Sequence, residues 1–186
     1  MRGFPSSFMM DQIHMPTPRS GAELKSQNEA EYDLLFSMEF PAVMRTVYLI
    51  LHQLDHAEDI TQDAFVQLLR HWKRVSRYDR PGAWVRRVAI RLAVDSLRRE
   101  RLRSKLERQV QPPVIEDEAE LDVLLAIQEL APKQRAAVVL FYFEDRPTAE
   151  IADILGCAEA TARVHLHRGR KRLAESLGEA VSQDVS

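Results

Sequence analysis

Apolar residues recur every three or four positions through the first half of the chain, which is the spacing of amphipathic helices. One such pattern covers residues 29–52, with Pro41 marking a kink or a break. A second covers residues 55–75, and its predicted core face consists of Phe65, Leu68, Leu69 and Trp72. Residues 1–28 show no periodicity, so we expect a disordered tail there. The sequence does not determine which of Met1, Met9, Met10 and Met15 is the natural start of translation.

A third helix is predicted over residues 83–103, after a loop at residues 76–82. Its apolar positions indicate a buried face made of Trp84, Val85, Val88 and Leu92. Arg87, Arg91 and Arg98 fall within about 40° of one another when a helix advances 100° per residue. These three arginines therefore form a separate basic stripe.

An acidic, proline-containing segment interrupts this pattern at residues 105–119. It can neither continue a helix nor bury a core, and so predicts a flexible linker. The periodic pattern returns over residues 120–178, with helices expected near residues 120–130, 132–144, 147–155 and 158–177. Residues 179–186 are expected to fray. The predicted domains are therefore residues 29–104 and 120–178.

The segment Thr148–Leu173 has the features of a helix-turn-helix. Small Ala152 allows two helices to approach each other, and Gly156 supplies the backbone freedom that the turn needs. The second helix has a core stripe of Ala162, Leu166 and Leu173. Its remaining surface is basic, as expected of a helix that lies in the DNA major groove. A solvated charged helix in an ordinary bundle is the alternative.

Composition supports an all-α protein with two small helical domains joined by a flexible acidic linker. Only six of the 186 residues are glycine, and 45% are hydrophobic. The single cysteine, Cys157, excludes an internal disulfide and suits a reducing compartment. No apolar run approaches the ~20 residues that span a bilayer, and no secretory signal is evident. We therefore expect a cytoplasmic protein without membrane insertion.

The net charge of −2 conceals blocks of opposite sign. Residues 29–63 contain eight acidic residues and one basic residue, whereas residues 70–108 contain fourteen basic and four acidic residues. Residues 161–173 are again basic. The two basic blocks are candidate phosphate-contacting surfaces.

No catalytic or cofactor-binding constellation is apparent in the sequence. It contains neither a glycine-rich phosphate loop nor a Cys/His cluster at metal-ligand spacing. His165 and His167 are two residues apart on a helix, so they point in different directions. We expect no enzymatic activity, no cofactor and no metal site.

Three segments resemble the small extracytoplasmic-function (ECF) class of the sigma-70 family. Ala57–Phe65 resembles the segment that grips core RNA polymerase, and Ala83–Arg101 resembles the helix that engages the promoter −10 element. Leu130–Phe143 with the following helix-turn-helix resembles the −35-binding domain. The resemblance covers about residues 30–177. It implies a subunit that binds core polymerase, recognises both promoter elements, helps to melt the −10 DNA and directs initiation.

The resemblance assigns core-polymerase binding to Asp59, Gln62 and Asp63. Asp59 and Gln62 are three residues apart and so share a helix face. A carboxylate that merely favours the start of a helix is the alternative for Asp59. Leu69 is assigned to core packing.

The resemblance assigns DNA binding to two sets of residues. The −10 set is Arg74, Arg77, Tyr78, Arg80, Arg87, Arg91 and Arg98. The −35 set is Arg163, His165, His167, Arg168, Arg170, Lys171 and Arg172. In the −10 set, cations would follow the strand's phosphates while Tyr78 stacks on an unstacked base. In the −35 set, the first four residues are expected at or near base edges and the last three at phosphates.

The resemblance also implies an anti-sigma partner and a role for residues 116–120. These acidic residues would follow polymerase channels that nucleic acid normally occupies, and a plain solvated tether remains equally open. The chain departs from the family pattern in having His52-Gln53 for Gly-Asp and Arg91 for Asn. It also has Ala158 for a capping Ser/Thr, and His165 and His167 at variable recognition positions. The usual promoter preferences therefore do not transfer.

Two other functions remain open from the sequence. A helix-turn-helix regulator that acts without core polymerase would bind duplex DNA alone, but it leaves the segment at residues 57–65 unexplained. A protein-interaction module that kept the fold would bind polymerase without initiating transcription. The intact basic blocks argue against that module.

Overall fold

The computed structural model describes residues 21–103 and 118–183, and these residues form seven helices without a strand. The all-α prediction is confirmed. The helices are α1 Gly21–Leu51, α2 Leu54–Val75, α3 Pro81–Arg103, α4 Glu118–Gln128, α5 Pro132–Tyr142, α6 Thr148–Leu155 and α7 Glu159–Gln183. Residues 1–20 of the predicted tail, residues 104–117 and residues 184–186 lie outside the described residues, whereas α4 begins at Glu118, inside the predicted linker of residues 105–119. The domain limits stay a prediction.

Helices α1 and α7 are longer than their sequence patterns predict. Helix α1 begins at Gly21 rather than near residue 29, and it continues through Pro41 without a break. Pro41 is exposed, and the turns that follow it bury Val43 and Val47, so packing outweighs the backbone hydrogen bond that proline removes. Helix α7 continues to Gln183, past the expected start of fraying at residue 179.

Helices α1, α2 and α3 form an N-terminal unit whose apolar core continues into that of the C-terminal helices, because α5 packs against α1 and α3. Its fully buried side chains include Ile50, Leu68 and Val85. Leu69, which we expected in this core, is instead 56% exposed. It lies 100° around the helix from Leu68, outside the strip that faces α1 and α3.

Helices α4 to α7 form a C-terminal unit in which α7 packs against the other three helices. The middle of α5 is buried from Arg135 to Leu140. Gly169 of α7 lies so close to α5 that an added Cβ would come 2.8 Å from a methyl carbon of Val138. Gly156 adopts the predicted left-handed conformation, with φ of 61°, and ends α6.

His52 takes the left-handed conformation that favours glycine, with φ of 57°, at the junction of α1 and α2. This is where the family pattern has glycine. The side chain is buried, and neither ring nitrogen has a hydrogen-bond partner. Burial, and to a lesser extent the nearby positive charge of Arg135, lower the pKa of His52 to about 4. His52 is therefore neutral at physiological pH.

Helix α1 also meets the length and composition expected of a membrane span, over Asn28–Leu51. This differs from our expectation that no apolar run approaches that length. Its C-terminal part is packed, because Val43, Val47 and Ile50 are fully buried, whereas Leu34 and Met38 nearer its start are 63% and 71% exposed. The same composition is expected of a core helix, so length and hydropathy give only weak support for a membrane span here.

Candidate nucleic-acid and protein interfaces

Helix α2 exposes a mixed acidic and apolar side. Asp59, Gln62 and Asp63 are all exposed, and the Gln62 amide donates to a Glu58 carboxylate oxygen over 3.0 Å. Val66 and Leu69 continue this side toward the end of the helix and are 44% and 56% exposed. We call these five residues, Asp59, Gln62, Asp63, Val66 and Leu69, the α2 face.

The α2 face exists because the other side of the helix is fixed in the core. Ala57, Ala64 and Leu68 are fully buried. The buried Thr61 hydroxyl donates to the Ala57 oxygen over 2.7 Å, so this polar group is satisfied within the helix. The sequence pattern indicated the polar part of the face. It missed Val66 and Leu69, because an apolar residue beside a core stripe resembles a core residue.

The −10 candidates lie around the start of α3 and at the end of α2. All seven are exposed; Arg91 and Arg98 lie further along α3 than the other five. Arg80 and Arg87 line one cleft of about 330 Å³. Arg86 also lines the cleft, where it is held by Glu39 at 3.1 Å and by Glu144 at 3.6 Å.

Arg91 and Arg98 lie on one stripe of α3 but have different partners. Arg98 lies 3.8 Å from the Asp95 carboxylate, and both side chains are largely in solvent. Such a pair contributes little and leaves the guanidinium available. Arg91 instead reaches α6, where it donates to the backbone oxygens of Ile154 and Asp153 over 3.0 and 3.1 Å.

The −35 candidates all lie on α7, but they do not form one uniform face. Arg163 pairs with Glu159 over 2.6 Å, and the guanidinium of Arg170 lies 6.0 Å from the centre of the Tyr142 ring. Lys171 lies 3.8 Å from Glu175, and Arg172 lies 3.8 Å from Glu129. His167 and Arg168 are exposed.

His165 differs from its neighbours because it is partly buried. Burial lowers the pKa of His165, and the charges of Lys133 and Arg168 lower it further. The ring is therefore neutral at physiological pH. It can accept a hydrogen bond as well as donate one, which a charged imidazole cannot do.

Val164 is a candidate that sequence reasoning missed. Ala162, Leu166 and Gly169 are buried against the other helices, and Val164 lies on the opposite side of α7, where it is 44% exposed. An apolar side chain in this position can contact the methyl group of thymine. The only sequence signal was its angular position between Lys171 and Arg168 on the helix, because its chemistry suggested a core residue.

No group of three or more His, Cys, Asp or Glu side chains able to hold a metal ion occurs among residues 21–103 and 118–183. The arrangement instead offers an acidic and apolar helix face on one unit and a basic helix on the other. The N-terminal unit also carries a basic loop at residues 76–80 and a basic stripe on α3. These are features of a helical DNA-binding protein that also has a protein-docking surface.

Comparisons with known proteins identify this class. The family Sigma-70 region 2 matches residues 35–103, and the family Sigma-70, region 4 matches residues 120–173. The ECF RNA polymerase sigma factor SigM of Mycobacterium tuberculosis is 31% identical over 169 residues, which cover 86% of each chain. The ECF RNA polymerase sigma factor SigW of Bacillus subtilis is 25% identical over 73% of this chain and 82% of its own.

Solved structures agree on the fold. Sigma factor RpoE from Bartonella quintana, determined with the anti-sigma factor NepR, has a TM-score of 0.63 at 22% identity. The alignment covers 80% of this chain and 97% of RpoE. The chain belongs to the ECF subfamily of the sigma-70 family of RNA polymerase sigma factors. Members of this family bind core polymerase and direct it to promoters, as initiation factors rather than enzymes.

Proposed function

We propose that this sigma factor binds core RNA polymerase through the α2 face and holds the two promoter elements on separate units. The observation that carries the proposal is the pairing of an exposed acidic and apolar face on α2 with an exposed basic helix α7. A regulator that acts without polymerase would have no use for the first of these surfaces. That alternative is therefore not favoured.

The α2 face suits a protein partner better than nucleic acid. Asp59 and Asp63 would repel phosphates, whereas they attract basic side chains and polar groups. Val66 and Leu69 add adjacent exposed apolar surface, which is typical of a protein interaction site. We infer that the carboxylates orient the contact while the apolar side chains are buried in it.

The loop at residues 76–80 and the basic stripe of α3 would hold the −10 element as a single strand. Arg77, Arg80 and Arg87 can neutralise phosphates, and Tyr78 can stack on an exposed base. Stacking is worth about 1–3 kcal/mol per base, so it can offset part of the cost of melting. Polymerase binding would supply the rest, and no nucleotide hydrolysis is needed.

Helix α7 would enter the major groove of the −35 element. Arg163, His165, His167 and Arg168 would meet base edges, together with Val164, and the basic residues from Arg170 to Arg172 would meet phosphates. Base contacts give specificity, whereas phosphate contacts set the register of the helix on the duplex. The protein would act in the cytoplasm, where polymerase and the chromosome are.

We also propose that an anti-sigma protein holds this chain inactive until it is needed. Support comes from the fold shared with RpoE, which was determined in complex with the anti-sigma factor NepR. An inhibitor that covered the α2 face would compete directly with polymerase. The exposed apolar surface at Val66 and Leu69 is suited to either partner.

In-vitro transcription tests the proposed function directly. Purified bacterial core polymerase, this protein and fragmented host genomic DNA are combined, and the transcript starts are mapped. We expect discrete starts that depend on this protein and share a two-part upstream motif. Duplex binding without starts would indicate a regulator, and polymerase binding without starts would indicate an interaction module.

A further inference from the structure

Two arginines cross between the N-terminal and C-terminal units in opposite directions. Arg91 of α3 donates to the backbone oxygens of Asp153 and Ile154 in α6. Arg135 of α5 donates to the backbone oxygen of Ile50 in α1 over 2.8 Å. Each acceptor lies in the last turn of its helix, where carbonyl groups lack partners within the helix. Each arginine therefore caps a helix that belongs to the other unit.

The helices that receive these caps have no basic residue in their own last turns. At the end of α6, the amides of Gly156 and Cys157 both donate to the oxygen of Ala152. The next two oxygens, those of Asp153 and Ile154, are the ones that Arg91 contacts. A guanidinium presents its donors as a fork, so it can serve two neighbouring carbonyls at once. The cap of α6 thus depends on a residue of the other unit.

Glu144 of the C-terminal unit reinforces the same contact. Its side chain is only 8% exposed and lies 3.6 Å from Arg86 of the N-terminal unit. The hydroxyl of Thr46, also in the N-terminal unit, donates to this carboxylate over 2.5 Å. A carboxylate is unfavourable in a buried position unless polar partners surround it. These partners make the contact specific to one arrangement of the two units.

Arg91 has two competing uses in this chain. It belongs to the basic stripe of α3, together with Arg87 and Arg98. The N–H groups that cap α6 cannot bind a phosphate at the same time. The contact also places the turn at Gly156 against α3, since an added Cβ at Gly156 would lie 3.0 Å from the guanidinium of Arg91. Arg98, on the same stripe, makes no such contact.

Helix α5 also packs against α1 and α3, so the two units share buried apolar surface. We propose that Arg91 is an interdomain latch, which adds to this packing by capping α6 and must release before α3 can receive the −10 strand. The consequence at the promoter rests on the proposed function, whereas the closed contact can be tested on the protein alone. Core polymerase, which would hold both units, is the partner that would favour the open form.

Thiol labelling of two matched probes measures the opening. In a Cys157→Ser background, Thr46→Cys places a thiol where the two units meet, because Thr46 is fully buried and contacts Glu144. Ser96→Cys places a thiol inside the N-terminal unit, where Ser96 is 8% exposed and lies 3.0 Å from a ring nitrogen of His56. When closing is faster than labelling, each labelling rate is proportional to the population of the form that exposes the thiol.

Arg91→Met should raise the labelling rate of the Thr46→Cys probe by about tenfold, as expected for loss of hydrogen bonds from a charged group. The Ser96→Cys probe should not respond. Arg98→Met is the matched control, because it removes the same charge from the same stripe and should leave both rates unchanged. In Arg91→Lys the labelling rate of the Thr46→Cys probe should lie between those of the parent and Arg91→Met, because lysine keeps the charge but lacks the forked donors of a guanidinium. An unchanged Thr46→Cys rate, or an equal increase at both probes, would overturn the latch.

Measuring polymerase binding distinguishes failure of the latch proposal from failure of the proposed function. Arg91→Met should bind core polymerase up to about tenfold more tightly, because a larger fraction of the free protein is already open. If the parent protein neither binds polymerase nor initiates, the proposed function fails and the labelling result still decides the latch. If the parent protein initiates transcription but Arg91→Met does not change the labelling rate of the Thr46→Cys probe, the latch proposal fails and the proposed function stands.

Discussion

Helix α2 of the N-terminal unit and helix α7 of the C-terminal unit are built in the same way but expose opposite chemistry. Each buries one stripe of small and aliphatic side chains, represented by Ala64 and Leu68 in α2 and by Ala162 and Leu166 in α7. The outer side of α2 combines carboxylates with Val66 and Leu69, whereas the outer side of α7 is basic. The inner stripe therefore determines the fold, and the outer side determines the partner.

The two helices also differ in how their outer side chains are held. On α7, Arg163, Lys171 and Arg172 each have an acidic partner within 4 Å, in exposed pairs that contribute little and leave the cations available for DNA. On the α2 face the only polar contact among the described residues is that between Gln62 and Glu58. A protein partner can bury the short side chains of α2 directly. A DNA groove needs long cations in defined positions.

The largest expected effect concerns the α2 face. Asp59→Ala combined with Gln62→Ala should weaken core polymerase binding by about a hundredfold, which corresponds to about 3 kcal/mol at an interface centre. Binding of the same variant to a −35 duplex should be unchanged, because α7 is untouched. A titration against labelled core polymerase measures the first quantity, and a gel-shift titration measures the second.

Leu69→Ser extends this test to the apolar part of the face. The matched control is Leu102→Ser at the end of α3, where Leu102 is 77% exposed. Only Leu69→Ser should weaken polymerase binding. Equal affinities for the two variants and the parent would place polymerase elsewhere on the protein.

The packing of α7 is tested by two glycines of the same helix. Gly169→Ala should destabilise the protein by about 1–3 kcal/mol, because the new methyl group would meet the stiff, buried Val138. Gly178→Ala places its Cβ in open space and should stabilise the helix by up to about 1 kcal/mol. Urea unfolding followed by circular dichroism measures both changes. Unfolding midpoints that shift in the same direction would contradict the close approach of α5 and α7.

The junction that positions α2 should make the protein sensitive to acid through His52. The pKa of His52 is lowered to about 4 in the folded protein, so between that value and its ordinary value of 6.5 the unfolded chain binds more protons. Stability is then complete above about pH 6.5 and falls by about 2 kcal/mol between pH 7 and pH 5.

His52→Asn is the matched variant for this measurement. Asparagine accepts the left-handed conformation at this position but does not titrate near neutral pH. Its unfolding free energy should therefore change less over the same pH range than that of the parent protein. If the parent and His52→Asn lose equal stability between pH 7 and pH 5, another group causes the acid sensitivity.

The sequence predicted the features that depend on neighbouring residues. Gly156 and the spacing of Ala162 and Leu166 were enough to predict the helix-turn-helix, because the turn and the stripe are local properties. Leu69 was placed wrongly, because periodicity indicates the centre of a buried stripe better than its edge. The partner of Arg91 could not be predicted, because residues 62 and 63 positions away supply the carbonyl groups.

The smallest expected effect concerns the outer side of α7, where specificity and affinity should separate. Arg163→Ala should cost about 1–2 kcal/mol on the preferred −35 sequence and much less on other sequences, because a base contact is lost. Lys171→Ala should weaken binding to all sequences alike and reduce the slope of log affinity against log salt concentration by about one. Competition binding to the preferred duplex and a scrambled duplex at several salt concentrations measures both.

Glu159→Gln supplies the control for Arg163. Glu159 holds the Arg163 guanidinium at 2.6 Å, so its neutralisation loosens the arginine without removing its charge. Binding to the preferred sequence should weaken by less than it does in Arg163→Ala, while binding to the scrambled duplex should not weaken, since a negative charge has been removed near DNA. A loss for Arg163→Ala that is uniform across sequences would identify Arg163 as a phosphate contact. The remaining candidates for base contacts on α7 would then be Val164, His165, His167 and Arg168.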